Sequence, residues 1–258
     1  MHPLPVRRAF AVALLSLVAG CAAGPAGADQ PLVDLFAEVN GSVVVLNTVQ
    51  RQAAPGQPNG EVTFAGLGSG VVIDTDGHII TAAHVVQTAD LVEVEFQSGV
   101  VVTAAVISSD PTSDLAMLKV DRMPEGVKPM PLGDSDKVKV GQEVFVVGAP
   151  YGLDGTLTVG HISSRHRGDA AEALGIEGPG VELFQTDAAI NQGNSGGPMF
   201  DMDGNVIGVV SHILSQSGGF EGLGFVVTSN TVRSRMLERR SFWSGITTVR
   251  LYGPITAA

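Results

Sequence analysis

The sequence has one cysteine, Cys21, among its 258 residues. Disulfides within the chain, iron–sulfur clusters and zinc sites built on several cysteines are therefore excluded, and a hydrophobic core must stabilise the fold. Basic runs are also missing, because the formal net charge is −11 and no stretch is rich in Lys and Arg. Nucleic-acid binders need a basic surface, so DNA and RNA are not expected partners.

Aromatic residues make up only 5% of the sequence, whereas 33 glycines separate many short runs of Val, Ile and Leu. This composition predicts an all-β body rather than a helical one. The candidate strands fall into two sets of six. The first set is Ser42–Val49, Gly70–Ile73, His78–Ala82, Leu91–Phe96, Val100–Ser108 and Asp114–Val120. The second set is Glu143–Gly148, Leu157–Ser163, Glu182–Thr186, Pro198–Asp201, Val206–Ser211 and Gly222–Val227.

Short helices are predicted at both ends of this body. Pro31–Asn40 has apolar residues at helical spacing, and a C-terminal helix is predicted from a Thr228 or Ser229 cap to about Arg240. Two segments are too rich in Gly, Pro and charged residues for the core and are predicted loops: Gln50–Gly60 and Arg165–Gly180.

The first twenty residues predict an export signal. Arg7 and Arg8 form a charged start, and Ala9–Ala19 is an apolar run too short to span a bilayer as a mature helix. Val18-Ala19-Gly20-Cys21 resembles a bacterial lipobox, which predicts lipidation of Cys21. Cleavage after the small-residue run Ala26-Gly27-Ala28, which discards Cys21, is the alternative.

The strongest chemical signal is Gly193-Asn194-Ser195-Gly196-Gly197-Pro198. A serine nucleophile needs a turn whose backbone N–H groups converge where an oxyanion forms, and Gly193 permits that geometry beside Ser195. Asn194 is a further candidate donor in this oxyanion hole. A serine in a glycine-rich turn is often only a turn residue, so this motif alone leaves both interpretations open.

Two further motifs supply a candidate base and a carboxylate. His84 follows the small residues of Thr81-Ala82-Ala83, which leave room for an imidazole to approach a serine. A lone histidine is more often structural. Asp114 stands at the start of an apolar strand and can hold an imidazole in one tautomer. Its alternative is a turn residue, and Asp110 is a second candidate for the orienting carboxylate.

His84, Asp114 and Ser195, in this order and 30 and 81 residues apart, resemble the triad of trypsin-like serine proteases and most closely that of the bacterial HtrA (Deg) proteases. The resemblance implies two six-stranded antiparallel β-barrels of the chymotrypsin-like type, with the triad in the cleft between them. It also implies an acyl-enzyme on Ser195 without a metal or cofactor. Further segments that carry the resemblance are Gly68–Ile73, Pro131–Ser135, Gln185–Asn191 and Gly222–Phe225.

These inferences divide the chain into five parts. They are a signal peptide (1–20), a tether (21–30), a first barrel (31–135), a second barrel with its terminal helix (136–240) and a tail (241–258). In the tail, Trp243–Gly253 resembles the opening strand of the PDZ domain that HtrA proteases usually carry. The tail is too short to complete one, so a complete PDZ domain is not expected.

The resemblance also indicates which residues contact a substrate. Ala189, six positions before Ser195, implies that no carboxylate lies at the base of the primary specificity pocket. We therefore expect cleavage after small or medium apolar residues such as Val, Ala or Leu, with Ile190 as a pocket wall. Ser211 and His212 are further candidate pocket residues. His212 resembles the histidine that favours acidic side chains in glutamyl endopeptidases, although a structural role is the alternative.

The sequence therefore predicts a serine endopeptidase that acts on unfolded or misfolded polypeptides in the periplasm or cell envelope. Its expected tasks are protein quality control or processing, with a membrane anchor at lipidated Cys21. The family commonly forms homotrimers through its N-terminal segment, here near Leu32–Val39. A non-catalytic or latent envelope chaperone with the same fold is the alternative function.

Overall fold

A computed structural model describes residues 30–56, 60–149, 152–153, 155–176, 178 and 180–238. Helix α1 (Gln30–Val39) opens this part of the chain, and a 3-10 turn, Asn40–Ser42, leads into the first strand. One face of α1 is buried: Val39 is fully buried, and Leu35 and Phe36 pack against the core, whereas Val33 is exposed. The predicted N-terminal helix is therefore confirmed.

Six antiparallel strands close into the first barrel, with neighbours in the order β1-β2-β3-β6-β5-β4. Their bounds are β1 (Val43–Ala53), β2 (Glu61–Val72), β3 (His78–Thr81), β4 (Leu91–Phe96), β5 (Val101–Asp110) and β6 (Leu115–Val120). Alternate residues of β4, such as Val94 and Phe96, point into the barrel and are buried. A single helical turn, α2 (Ala83–Val86), follows β3.

A second closed barrel has the order β10-β11-β12-β9-β8-β7. Its strands are β7 (Glu143–Gly148), β8 (Thr156–Arg167), β9 (Glu182–Thr186), β10 (Pro198–Asp201), β11 (Val206–Ile213) and β12 (Gly224–Thr228), and helix α3 (Asp169–Glu172) lies between β8 and β9. Phe145 and Phe200 stack with ring centroids 5.1 Å apart, in the core cluster that also contains Val43 and Ile80 of the first barrel. The predicted all-β class with two six-stranded barrels is confirmed.

Helix α4 (Ser229–Val232) continues into a π-helical turn, Arg233–Leu237, and this confirms a C-terminal helix. The predicted side-chain cap is wrong, because Thr228 precedes the helix without a side-chain bond to its amides. Ser229 instead donates its hydroxyl to the Gly133 carbonyl at 2.8 Å. The start of the helix is thus bonded to the segment that joins the barrels.

Two predicted loops begin in regular structure. Strand β1 continues to Ala53, which pairs with Glu61 of β2, because a solvated two-stranded ribbon needs no apolar face. Strand β8 continues through Arg165 to Arg167, because both arginines pair across the sheet with Glu182 of β9. Polar composition therefore misled the prediction at both places.

No helix among the described residues is long and apolar enough to cross a membrane. The predicted signal peptide, the greater part of the tether with Cys21, and the tail with Trp243–Gly253 lie outside the described residues.

Candidate active site

His84 and Asp114 form a hydrogen-bonded pair at the edge of the first barrel. His84 lies in α2, and its backbone N–H donates to Asp114 Oδ1 at 3.0 Å. Its Nδ1 lies 2.9 and 3.0 Å from the two carboxylate oxygens. Because an ionised carboxylate only accepts, Nδ1 carries the proton and Nε2 keeps its lone pair for another donor.

The surroundings of Asp114 keep it ionised. Burial by itself would raise the pKa of its carboxyl, but hydrogen bonds from the His84 ring, the Ser211 hydroxyl and the His84 amide lower it below the usual value. The Asp114 side chain is 12% exposed and that of His84 43%. The pair therefore combines a buried negative charge with a solvent-accessible imidazole.

The backbone of Asp114 is strained. Its φ is 52°, and it is the one non-glycine residue with positive φ in the described part of the chain. The left-handed region costs a non-glycine residue about 1–2 kcal/mol. The Asp114 carbonyl accepts the Ala83 N–H at 3.1 Å, and its carboxylate bonds hold the side chain in the same orientation. Strain of this kind is typical of functional positions.

Asp110, the second candidate for the orienting carboxylate, makes other contacts. Its Oδ1 accepts hydrogen bonds from the Thr112 amide at 3.2 Å and the Thr112 hydroxyl at 2.5 Å. Its Oδ2 lies 3.5 Å from Nη1 of Arg235. No hydrogen bond joins Asp110 to His84 among the described residues, so Asp114 is the carboxylate that orients the imidazole.

Ser211 connects Ser195 to this pair. The Ser195 hydroxyl, in the turn between β9 and β10, donates to the Ser211 carbonyl at 3.3 Å. The Ser211 hydroxyl donates to Asp114 Oδ2 at 2.5 Å. No bond joins Ser195 to His84 in the part of the chain that the structure describes. Ser211 is a predicted substrate-binding residue, and no local sequence pattern indicates its bond to Asp114.

The turn that carries Ser195 has the backbone that its glycines permit. Gly193 and Gly196 have φ of 106° and 81°, a region that strongly favours glycine. The buried hydroxyl of Ser69 donates to the Gly193 carbonyl at 2.7 Å and accepts the Ala149 N–H at 3.0 Å. Within the described residues, neither the Gly193 nor the Ser195 N–H donates a hydrogen bond, so both remain available to a ligand.

Asn194 points away from this turn. Its N–H donates to the Asn191 carbonyl at 3.0 Å, and its side chain is 1% exposed. The amide Nδ2 lies 3.5 Å from the carbonyl of Ala189. Ile190 is buried in the second barrel, where a Cβ at Gly224 would meet its Cδ1 at 2.7 Å. Both residues are therefore buried, Asn194 within the turn itself and Ile190 in the core of the second barrel.

A cavity of about 290 Å³ adjoins His84 and Asp114. His212 lines it, with its ring stacked on Phe225 at 5.1 Å and its Nδ1 3.0 Å from the Ser211 hydroxyl. Burial, more than any other cause, lowers the pKa of His212. The opposite wall is a part of the predicted loop to which the sequence analysis gave no role: Leu174, Gly175 and Ile176.

One group of possible metal ligands lies outside this site. Oxygen and nitrogen atoms of Asp74, Asp76 and His78 come within 4.8 Å of one another at the β2–β3 turn. The His78 Nδ1 lies 2.6 Å from Asp74 Oδ2, and Asp74 Oδ1 accepts the backbone N–H groups of Asp76 and His78. These bonds account for the cluster as part of the turn between β2 and β3.

Residues 68–209 match the family described as trypsin-like peptidase domain. The chain belongs to the trypsin-like peptidase family. Curated relatives of this peptidase include a "Probable periplasmic serine endoprotease DegP-like" of Pseudomonas fulva, 41% identical over 178 residues, which are 69% of the chain and 36% of the relative. Another is "Protease Do-like 1, chloroplastic" of Arabidopsis thaliana, 42% identical over 201 residues, which are 78% of the chain and 45% of the relative.

Solved HtrA-type proteases share the fold of this trypsin-like peptidase. "HtrA-type protease AlgW with tripeptide" is 33% identical with a TM-score of 0.68, over 78% of this chain and 61% of that one. "HtrA-type protease AlgW with decapeptide" is 31% identical with a TM-score of 0.67, over 80% and 67%. The chain spans about a third of the length of the first curated relatives that it matches, 36%.

Proposed function

We propose that the protein is a serine endopeptidase that hydrolyses peptide bonds of unfolded polypeptides through an acyl-enzyme on Ser195. The observation that carries the proposal is the His84–Asp114 pair, joined through Ser211 to the hydroxyl of Ser195. The membership of the chain in the trypsin-like peptidase family supports it.

The proposed reaction begins with a change of partner at Ser195. Its hydroxyl releases the Ser211 carbonyl and donates to Nε2 of His84, whose Nδ1 proton is held by Asp114. His84 takes the serine proton as Oγ attacks the peptide carbonyl, and returns it to the leaving amine. Water, activated by the same imidazole, then releases the acyl group from Ser195.

The oxyanion is stabilised by the N–H groups of Gly193 and Ser195. Both amides are free of internal acceptors in the described structure, and the bond from Ser69 holds the Gly193 carbonyl in place. One such donor is worth about 3 kcal/mol of barrier. The sequence analysis included Asn194 in this hole, but its N–H is already donated to Asn191, so the proposed hole consists of the other two amides.

The preference for small or medium apolar residues before the cut remains a prediction from Ala189. Ala189 is half-buried behind the Ser195 turn and brings no charge to it. His212 lines the cavity beside His84. We propose that it selects among substrate residues further from the cut, because its ring is one wall of that cavity.

Further proposals concern the location and assembly of the protein. Relatives named as periplasmic serine endoproteases support action in the periplasm, and unfolded or misfolded polypeptides are the proposed substrates. The lipobox-like segment supports a lipid anchor at Cys21, and α1, with Val33 66% exposed, offers an apolar contact for a homotrimer. Radiolabelled palmitate incorporation that is lost in Cys21→Ser tests the anchor, and sedimentation of Val33→Asp tests the trimer.

The decisive experiment compares wild type with Ser195→Ala on casein, an unfolded substrate, and determines the new termini by mass spectrometry. A fluorophosphonate probe measures the reactivity of the serine itself. Ser163→Ala, an exposed serine in β8, is the matched control and should keep both activities. The proposal is supported if wild type and Ser163→Ala cleave casein and react with the probe whereas Ser195→Ala does neither.

The alternative is a latent or non-catalytic chaperone, and one observation favours it. The Ser195 hydroxyl is bonded to Ser211 rather than to His84 in this structure. A chaperone would suppress aggregation of an unfolded protein equally well as wild type and as Ser195→Ala, without cleavage or labelling by either. That result would overturn the proposed peptidase.

A further inference from the structure

Arg235 is a buried cation in the π-helical turn at the end of the described chain. It is 8% exposed, and its Nη1 lies 3.5 Å from Oδ2 of Asp110, which is 125 residues away in the sequence. Desolvation of a guanidinium is costly unless a carboxylate compensates its charge. The position of Arg235 therefore depends on Asp110, and the reverse also holds because the Asp110 side chain is 14% exposed.

Asp110 is also the first residue of the turn that presents Asp114. Its other oxygen accepts the amide and hydroxyl of Thr112, and the Asp114 N–H donates to the Pro111 carbonyl at 3.3 Å. Burial would raise the pKa of Asp110, but the bonds from the turn and the charge of Arg235 lower it, so the carboxylate stays ionised. One carboxylate thus joins Arg235 to the strained turn that orients His84.

Arg235 touches a second part of the site. A Cβ at Gly178 would lie 2.7 Å from its Nη2, so the guanidinium packs directly against the Gly178 backbone, whose φ is 111°. Leu174–Ile176 forms a wall of the cavity beside His84. Gly178 follows this wall in the chain and precedes β9. The same side chain therefore contacts Asp110, at the turn of Asp114, and Gly178, two residues after Ile176 of the cavity wall.

We propose that Arg235 is a positioning residue for the active site. Through Asp110 and Gly178 it holds the turn of Asp114 and the cavity wall in place, and it joins the C-terminal helix to the His84–Asp114 pair. The expected effect on rate rests on the proposed peptidase function. The expected effect on the geometry of His84 does not.

The kinetic test uses Arg235→Met, which keeps an unbranched apolar stem and removes the guanidinium with its charge, and Asp110→Asn. We expect each variant to lower kcat about tenfold while KM changes less than about twofold, because misplaced catalytic groups affect the chemical step. The double variant should lose less than the product of the two single losses, since both changes remove the interaction between Arg235 and Asp110. Arg235→Lys should recover part of the loss.

Arg233→Met is the matched control. Arg233 lies in the same π-helical turn, but its Nη2 donates to the Leu132 carbonyl at 3.1 Å, away from the turn of Asp114. It should keep the kcat of the wild type. An equal loss of kcat in Arg233→Met would overturn the proposal, because the effect would then come from packing of the helix.

A second readout needs no peptidase activity. In a Ser195→Ala background labelled with [15N]histidine, the Nδ1-bound proton of His84 reports its hydrogen bond to Asp114. We expect its resonance to shift in Arg235→Met and Asp110→Asn and to stay unchanged in Arg233→Met. An unchanged resonance in both test variants would overturn the proposal, whether or not the wild type cleaves casein. If circular dichroism shows that Arg235→Met does not fold, Asp110→Asn and Arg235→Lys decide by the same criterion.

Discussion

The Ser211 hydroxyl, in the second barrel, donates a hydrogen bond to Oδ2 of Asp114, in the first barrel. The carbonyl oxygen of the same residue accepts the hydroxyl of Ser195. Two atoms of Ser211 therefore fix the carboxylate and the proposed nucleophile relative to each other. Because these groups come from both barrels, the site exists only when the barrels are packed together.

We expect Ser211→Ala to lower kcat about tenfold with little change in KM, because Asp114 loses one of the bonds that hold its carboxylate against His84. Unfolding should also become easier by about 1–3 kcal/mol, since a buried carboxylate oxygen loses its donor. Steady-state hydrolysis of a fluorogenic peptide and urea unfolding measure the two effects.

Ser42→Ala is the control for this change. Ser42 is also fully buried, but its hydroxyl donates to the Val39 carbonyl at 2.6 Å, before the first strand. It should lose stability and keep kcat. If the two variants lose the same fraction of kcat, the role assigned to Ser211 is wrong.

Asp114→Asn separates the chemistry of this residue from its backbone strain. Asn tolerates the left-handed φ of 52°, so the folded structure should persist. A neutral amide no longer favours the Nδ1–H tautomer, and kcat should fall about 10⁴-fold. Thermal unfolding and peptide hydrolysis provide the two measurements. Asp110→Asn, with its smaller expected loss, is the comparison; equal losses would mean that Asp114 acts only through the fold.

The sequence predicts structure well where the information is local. Strands β4, β7, β9 and β10 have the predicted bounds, because a buried strand between turn residues shows its limits directly. The candidate triad could be named because each member lies in a short motif of small residues or turn signals. The resemblance to a known family then supplied the barrel count, which periodicity alone does not determine.

The remaining features depend on contacts between distant segments. The bond from Ser211 to Asp114 spans 97 residues, and that from Arg235 to Asp110 spans 125. Neither bond is indicated by a sequence pattern near one of its residues. The strand continuation at Arg165 was missed for the same reason, because its charge is compensated by Glu182 on the neighbouring strand. The charged composition predicts that Arg165 is exposed. The ion pair with Glu182 explains why its side chain is largely buried.

Glu182 should make stability depend on pH. It is 5% exposed and accepts bonds from Arg165 and Arg167, with 2.7 Å from each Nε to Oε1. Burial would raise the pKa of its carboxyl, but the bonds and charges of the two arginines lower it below the ordinary 4.5. A lowered folded-state pKa stabilises the fold above the unfolded pKa, and this contribution is lost as the pH falls through the folded pKa.

We therefore expect Glu182→Gln to reduce the free energy of unfolding by about 3 kcal/mol near neutral pH, since it leaves two arginines without their buried partner. The difference from wild type should shrink as the pH falls below 4.5 toward the lower folded-state pKa. Asp136→Asn, whose carboxylate contacts the same arginines but is 68% exposed, should change stability by less than about 1 kcal/mol. If the difference in free energy of unfolding between Glu182→Gln and wild type did not change with pH, the lowered pKa assigned to Glu182 would be wrong. Urea unfolding at several pH values measures it.

The glycine after Ser195 provides a steric test of the turn. Gly196 and Gly218 both have positive φ, 81° and 87°, so an alanine at either position bears a similar backbone penalty of about 1–2 kcal/mol. A Cβ at Gly196 would overlap the Thr81 hydroxyl and the Ser69 carbonyl, whereas a Cβ at Gly218 would meet no atom within 4 Å. The difference between the two variants therefore measures steric overlap alone.

We expect Gly218→Ala to keep the fold and the activity, and Gly196→Ala to be less stable than Gly218→Ala by at least about 2 kcal/mol. Gly196→Ala should also lose most of its hydrolysis, because its N–H bond to the Val210 carbonyl, 2.7 Å long, fixes the turn of Ser195 against β11. Thermal unfolding and fluorophosphonate labelling of both variants test this. Equal stability and equal labelling would mean that the turn moves freely away from Ser69 and Thr81, which is incompatible with a preformed oxyanion hole.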